Sequence, residues 1–205
     1  MDIILPTRFN NPNLPIVQRP GFTDSFNRPA ADTLGVTSGE SRPWQTFDIG
    51  ANPSVWGTYG DGTAGMKTAG SSWQLAGVDA LTSDGTLTAT LASIGGTTSR
   101  LGGLAFRISD GDNHYRVAEV SAPDPRIILQ KRVGGVTSAL GTATVSPSPG
   151  DEISVTFGGS QITVYLNGST VITATSTDLP GETVHGFYSQ SATVATWDSI
   201  EFTPA

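Results

Sequence analysis

From Phe22 onward the chain is written in a period of two. Short runs rich in Val, Ile, Thr and Tyr alternate apolar with polar positions and are broken by Gly, Asp, Asn and Pro at close spacing. That is the pattern of half-buried β-strands. No window of helix length keeps a 3.6-residue apolar period free of glycine. Leu104, Phe106 and Ile108 alternate with Ala105, Arg107 and Ser109, and Leu87, Ala89 and Leu91 share one face of a run over residues 85–92. Further strands are predicted at 114–120, 126–132, 136–145, 152–157, 161–166, 170–175, 184–189 and 196–202. The connectors carry turn chemistry, most sharply Asn167-Gly168, where both residues tolerate the positive φ of a type I′ turn. Residues 43–76 are looser and hold Trp44, Trp56 and Trp73. Roughly a dozen strands without a fixed repeat predict an all-β, two-sheet antiparallel sandwich.

Residues 1–21 stand apart. Pro6, Pro12, Pro15 and Pro20 forbid a helix or a central strand there. With the aliphatic residues Ile3, Ile4, Leu5, Leu14, Ile16 and Val17 the segment reads either as a frayed terminus or strap lying on the sandwich or as an extended arm ordered against a neighbouring subunit. The expected organisation is therefore an arm over 1–21 and one β-sandwich domain over 22–205.

Composition narrows the chemistry. The 205 residues can bury a core without staples, and the absence of cysteine leaves the redox compartment open. A net charge of -7 argues against a nucleic-acid partner. No apolar run is long enough for a membrane span, and the first residues, Met1 to Pro6, lack the basic and apolar regions of a signal peptide. Six of the eleven cations lie between Arg100 and Arg132, interleaved with Asp110, Asp112, Glu119 and Asp124. This stretch reads as a solvated, mixed-charge sheet face.

Catalytic signatures are thin. The two histidines, His114 and His185, fall in strand patterns, and no Gly-x-Ser-x-Gly elbow, phosphate loop or zinc spacing accompanies them. The carboxylate pairs Asp110 with Asp112 and Asp198 with Glu201 are poorly disposed for glycoside hydrolysis, the first in a turn and the second straddling a strand. No catalytic residue is assigned, and no enzyme is expected.

The segments Gly103-Leu104-Ala105-Phe106-Arg107, Asn113-His114-Tyr115-Arg116, residues 128–132, Val164-Tyr165-Leu166-Asn167-Gly168 and residues 197–202 together resemble concanavalin A-like, laminin G-like jelly rolls over about residues 22–203. The opening Asp24-Ser25-Phe26-Asn27-Arg28-Pro29, followed by Leu34-Gly35 and Pro43-Trp44-Gln45, resembles the start of such domains in bacteriophage tail and other virion proteins. The resemblance implies a jelly-roll fold and a non-enzymatic virion structural part, a minor tail or capsid-surface decoration component with an outward-facing lectin-like domain. It would be made in the host cytoplasm, carried in the virion and assembled with itself and other virion proteins. The alternative is a carbohydrate-binding module recognising host or environmental glycans; a degenerate glycoside hydrolase ranks third. No cofactor is required, but relatives carry a structural calcium, for which Asp24 and Asp198 are the candidates. A backbone hydrogen bond across paired terminal strands is the other reading of Asp198. Sugar stacking would draw on Trp56, Tyr59 and Tyr165, with Arg107 and Tyr115 as further contributors. Trp44 and Trp197 are assigned to the core.

Overall fold

The computed structural model describes residues 19–48, 53–68, 74–94, 101–120, 124–190 and 195–205. The expected arm residues Ile3, Ile4, Leu5, Leu14, Ile16 and Val17 lie outside them. Fifteen strands are formed among the described residues, and no helix. The first five are β1 (Phe22–Asp24), β2 (Gln45–Asp48), β3 (Val55–Thr58), β4 (Ala64–Thr68) and β5 (Gln74–Asp79). The central five are β6 (Gly85–Ile94), β7 (Leu101–Asp110), β8 (Asn113–Val120), β9 (Arg126–Val133) and β10 (Val136–Ala143). The last five are β11 (Glu152–Gly158), β12 (Gln161–Leu166), β13 (Ser169–Thr175), β14 (Val184–Ser189) and β15 (Ala195–Pro204).

They build two antiparallel sheets. One runs β13-β12-β11-β6-β15-β4-β3, with β1 added to β15; the other runs β10-β9-β8-β7-β14-β5-β2. The strand expectations from residue 85 onward fall within two residues or so of these boundaries. The Asn167-Gly168 turn has both residues at positive φ, 50° and 73°.

The core lies between the sheets. Leu87, Ala89, Leu91, Val155, Phe157, Val164, Ile200 and Phe202 meet Val78, Leu104, Phe106, Val117, Leu129 and Phe187. Burying side chains of this size contributes about 1.5–3 kcal/mol each. Phe187 is the hub, with the rings of Trp44, Trp56, Trp197 and Phe26 centred 5.6, 6.3, 5.3 and 6.0 Å from it. Gly85 is required by this packing, because a Cβ there would meet the Phe202 ring at 2.5 Å and the Thr203 carbonyl oxygen at 2.4 Å.

The seven-stranded sheet departs from simple alternation. Residues 114–119 of β8 and 74–78 of β5 are buried on both faces, and a second apolar cluster of Leu75, Ala105, Ile108, Ala118 and Tyr188 occupies the sheet's outer side. The expected solvated charge face over residues 100–132 is corrected accordingly: Arg107, Arg116 and Glu119 are buried.

The two sheet edges differ. At one, β10 packs on β13, and Gly141 lets the Ile172 side chain approach to where a Cβ would sit at 2.5 Å. At the other, the short edge strands β2 and β3 leave an opening among the described residues.

Candidate functional site

A cleft of about 260 Å³ opens between β2 and β3, lined by Asp32, Thr33, Leu34, Trp44, Thr46, Ser54, Val55 and Trp56. The segment before β2 is held against β3 by local pairing. Ala31 bridges Thr58, the Thr58 hydroxyl donates to the Pro29 carbonyl at 2.7 Å, and Val36 bridges Pro43. The Lys67 ammonium, 2.7 Å from the Asp32 carboxylate, fixes that residue at the rim. Across the opening, the Ser54 backbone N–H and hydroxyl donate to Asp48 at 2.9 and 2.8 Å. Trp44 stacks on Phe187 with an interplanar angle of 2° and donates its indole N–H to Asp24 at 2.8 Å. Half-buried, it forms one wall of the cleft. The cleft thus combines two indoles with a carboxylate and hydroxyls, the mixture that sites for sugars need.

Of the residues expected to bind sugar, Trp56 alone lines this cleft. It is 3% exposed, so it supplies a wall, not an open platform. Tyr59 follows β3 and stands half-buried under the Lys67 ammonium, 5.6 Å from its ring centre; burial raises its hydroxyl pKa. Arg107 is corrected to an interior residue. Its guanidinium bonds Asp84 at 2.6 Å and the Gly159 carbonyl at 3.0 Å, and its backbone N–H donates to His185 Nδ1 at 3.0 Å. Burial lowers the His185 pKa to about 4. Tyr115 is likewise corrected to the core, stacked on Phe106 at 5.2 Å, with its hydroxyl 2.8 Å from that of Ser176 and 2.9 Å from the Asp178 carbonyl oxygen. Tyr165 lies half-buried on the outer face of the eight-stranded sheet, away from the cleft.

The calcium candidates are not brought together as ligands. The Asp24 carboxylate accepts two bonds from the Arg28 guanidinium at 2.8 Å each, one from Trp44 and one from the Phe26 backbone N–H at 3.0 Å. Its oxygens are taken by donors, and the adjacent guanidinium repels a cation. Asp198 is exposed because β15 is irregular between Trp197 and Ser199, so that it does not share the buried face of Ile200 and Phe202 as strict alternation would have it. Among the described residues no group of three or more Asp, Glu, His or Cys is placed to hold a metal.

The sequence reading missed Asp32, Thr33, Thr46 and Ser54, and gave Trp44 to the core alone. The available signal was the Pro43-Trp44-Gln45 run entering a short polar strand.

No family model and no curated protein matches the chain. Solved structures do. A carbohydrate-binding module, CBM66 from Bacillus subtilis, is 19% identical, with a TM-score of 0.58 over 78% of this chain and 92% of that one. A beta-glucanase from Bacillus licheniformis is 12% identical, with a TM-score of 0.61 over 91% and 99%. The GH43B protein of a Bacteroides ovatus xyloglucan locus is 17% identical, with a TM-score of 0.62 over 95% of this chain and 42% of that one. The sequence-based expectation that the chain is no enzyme is overturned as a reading of this fold: a beta-glucanase, LamA from Zobellia galactanivorans and a transglycosylase share it. The chain has a concanavalin A-like jelly-roll fold, two antiparallel sheets packed face to face.

Proposed function

We propose that the chain binds carbohydrate in the cleft between β2 and β3. The carrying observation is the pairing of the Trp44 and Trp56 indoles with the polar groups of Asp32, Thr33, Thr46 and Ser54 around a volume of about 260 Å³. That volume lies near the lower end, roughly 300 Å³, of small-molecule sites and suits a single sugar ring. The half-buried Trp44 indole would cover an apolar sugar face, with Trp56 as a wall of the cleft, while the rim groups bond its hydroxyls. Similarity to CBM66 and to carbohydrate-cleaving proteins supports this reading, the second of the three sequence expectations, over the virion part.

The test is isothermal titration against a panel of neutral oligosaccharides, with reducing-end release followed on the same samples. Wild type binds at least one. Thr46→Arg, on an exposed rim position, fills the opening without touching the core and lowers affinity tenfold or more. Equal affinity in the variant overturns the cleft as the site. Release of reducing ends that Thr46→Arg abolishes would make the same cleft catalytic.

A further inference from the structure

The outer face of the eight-stranded sheet carries a second ordered polar surface. Register aligns Thr173, Thr163, Thr156, Thr86 and Thr203 in one row across β13, β12, β11, β6 and β15. The next row is Tyr165, Ser154, Thr88, Glu201 and Thr23. Glu152, Thr90 and Ser199 begin a third. Where the second and third rows meet β1, a cavity of about 250 Å³ is floored by Thr88, Thr90 and Ser199 and flanked by Glu152 and Glu201.

Two features build this pocket. The irregularity in β15 after Trp197 buries that indole and still turns Ser199 and Glu201 outward, with Ile200 and Phe202 kept in the core. The wall at β1 is tied to the loop after it: the Thr23 backbone N–H donates to Glu40 at 2.8 Å, and the Ser25 N–H to the Ser38 hydroxyl at 3.1 Å. On the floor, the Ser199 hydroxyl donates to that of Thr90 at 3.2 Å.

Charge decides the ligand class. The six strands β1, β6, β11, β12, β13 and β15 contain no Lys, Arg or His. A phosphate, sulfate or uronate would meet Glu152 and Glu201, with Asp24 as a third lining carboxylate already paired to Arg28, and no cation from these strands, at a Coulomb cost. A neutral polyol fits, since its hydroxyls donate to Glu152 and Glu201 and accept from Thr88 and Thr90. Tyr165 stands in the Thr88 row two strands away, roughly 10 Å at ordinary strand spacing. It is half-buried and offers a ring to a sugar one or two residues along the same chain.

We infer that this pocket is a second glycan site, separate from the cleft, selective for neutral sugar chains laid across the strands with one ring over Thr88 and Thr90 and another at Tyr165. The inference stands on the pocket's own lining, so it can fail or hold independently of the cleft.

The experiment is residue-resolved amide NMR of the full chain titrated with a neutral glucan tetrasaccharide, a neutral fructan, an oligogalacturonate and calcium chloride. The expected result is saturable shifts at Thr88, Thr90, Ser154 and Tyr165 with a neutral sugar and none with the uronate. Thr88→Val with Thr90→Val keeps both positions β-branched, so the spectrum remains folded, and weakens that binding tenfold or more while shifts at Thr46 and Ser54 persist. Glu152→Gln, on an exposed side chain, should weaken it as well. Absence of shifts at these residues with both neutral sugars, equal shifts with the uronate, or shifts from calcium chloride alone would overturn the assignment. Loss of shifts at Thr46 with those at Thr88 retained would overturn the cleft instead.

Discussion

The two sheets solve one packing problem with different chemistry. In the eight-stranded sheet, β6 alternates strictly: Leu87, Ala89 and Leu91 face in, and Thr86, Thr88 and Thr90 face out. In the seven-stranded sheet, β7, β8, β5 and β14 are buried on both sides for most of their described length, and the burial extends to Arg107, His114, Arg116, Glu119 and His185. The first sheet therefore exposes a hydroxyl surface with little at stake for stability. The second stores charge and titratable groups in a low-dielectric interior, where each is costly if its partners are lost.

The largest expected effect is at the hub shared by both. Phe187→Ala removes the ring on which Trp44, Trp56 and Trp197 stack, and urea unfolding should report a loss of about 3–5 kcal/mol. The cleft wall would loosen with it. Next is Arg107→Met, which strips partners from Asp84 and the Gly159 carbonyl. A cost of about 3 kcal/mol is expected, at the lower end for broken buried pairs because Asp84 is 38% exposed at its side chain. A loss below about 1 kcal/mol would show the arginine to be a passenger.

The titratable groups predict opposing pH slopes. His114 and His185 are held at about 4, chiefly by burial, against 6.5 ordinarily. Between pH 6.5 and 4 the unfolded chain takes up protons that the fold refuses, so stability falls as pH drops through that window. Glu119, whose carboxylate oxygens have no partner among the described residues, is raised by burial from 4.5 to about 7. Its contribution is full below pH 4.5 and lost as pH rises to 7. Each displacement is worth about 3 kcal/mol when fully developed. With two groups against one, wild type should gain stability from pH 4 to 6.5. Glu119→Gln should steepen that rise and add about 2–3 kcal/mol above pH 7; denaturation curves at pH 4.5 and 8 check both. Identical profiles for variant and wild type would contradict a buried, unpartnered Glu119.

The smallest effect belongs to the other sheet. Thr86→Val, whose hydroxyl bonds that of Thr156 at 2.9 Å on the surface, should change stability by less than about 0.5 kcal/mol. A larger loss would erase the contrast between the sheets.

This contrast also explains what the sequence could disclose. β6 and β11 to β13 were legible because one face is wet and the other dry, so alternation and the Asn167-Gly168 turn mark them directly. The same rule misplaced Arg107 and Tyr115, because a strand buried on both faces gives no sign of which side chains reach solvent. The exposure of Asp198 was hidden for a different reason: the irregularity between Trp197 and Ser199 breaks parity in a way that no local pattern announces. The cleft was least legible of all. It gathers Asp32, Trp44, Thr46, Ser54 and Trp56 from separate segments whose two strands are four residues long each, and only the sheet order brings β2 and β3 to the same edge.

The most direct test of the central claim is the affinity of wild type and Thr46→Arg for a neutral oligosaccharide panel, measured side by side by titration calorimetry with thermal melts as control. Saturable binding by wild type, weakened tenfold or more in the variant at an unchanged melting temperature, is the predicted result. Binding that is indifferent to Thr46→Arg, or no binding across the panel, would contradict carbohydrate recognition at the open edge.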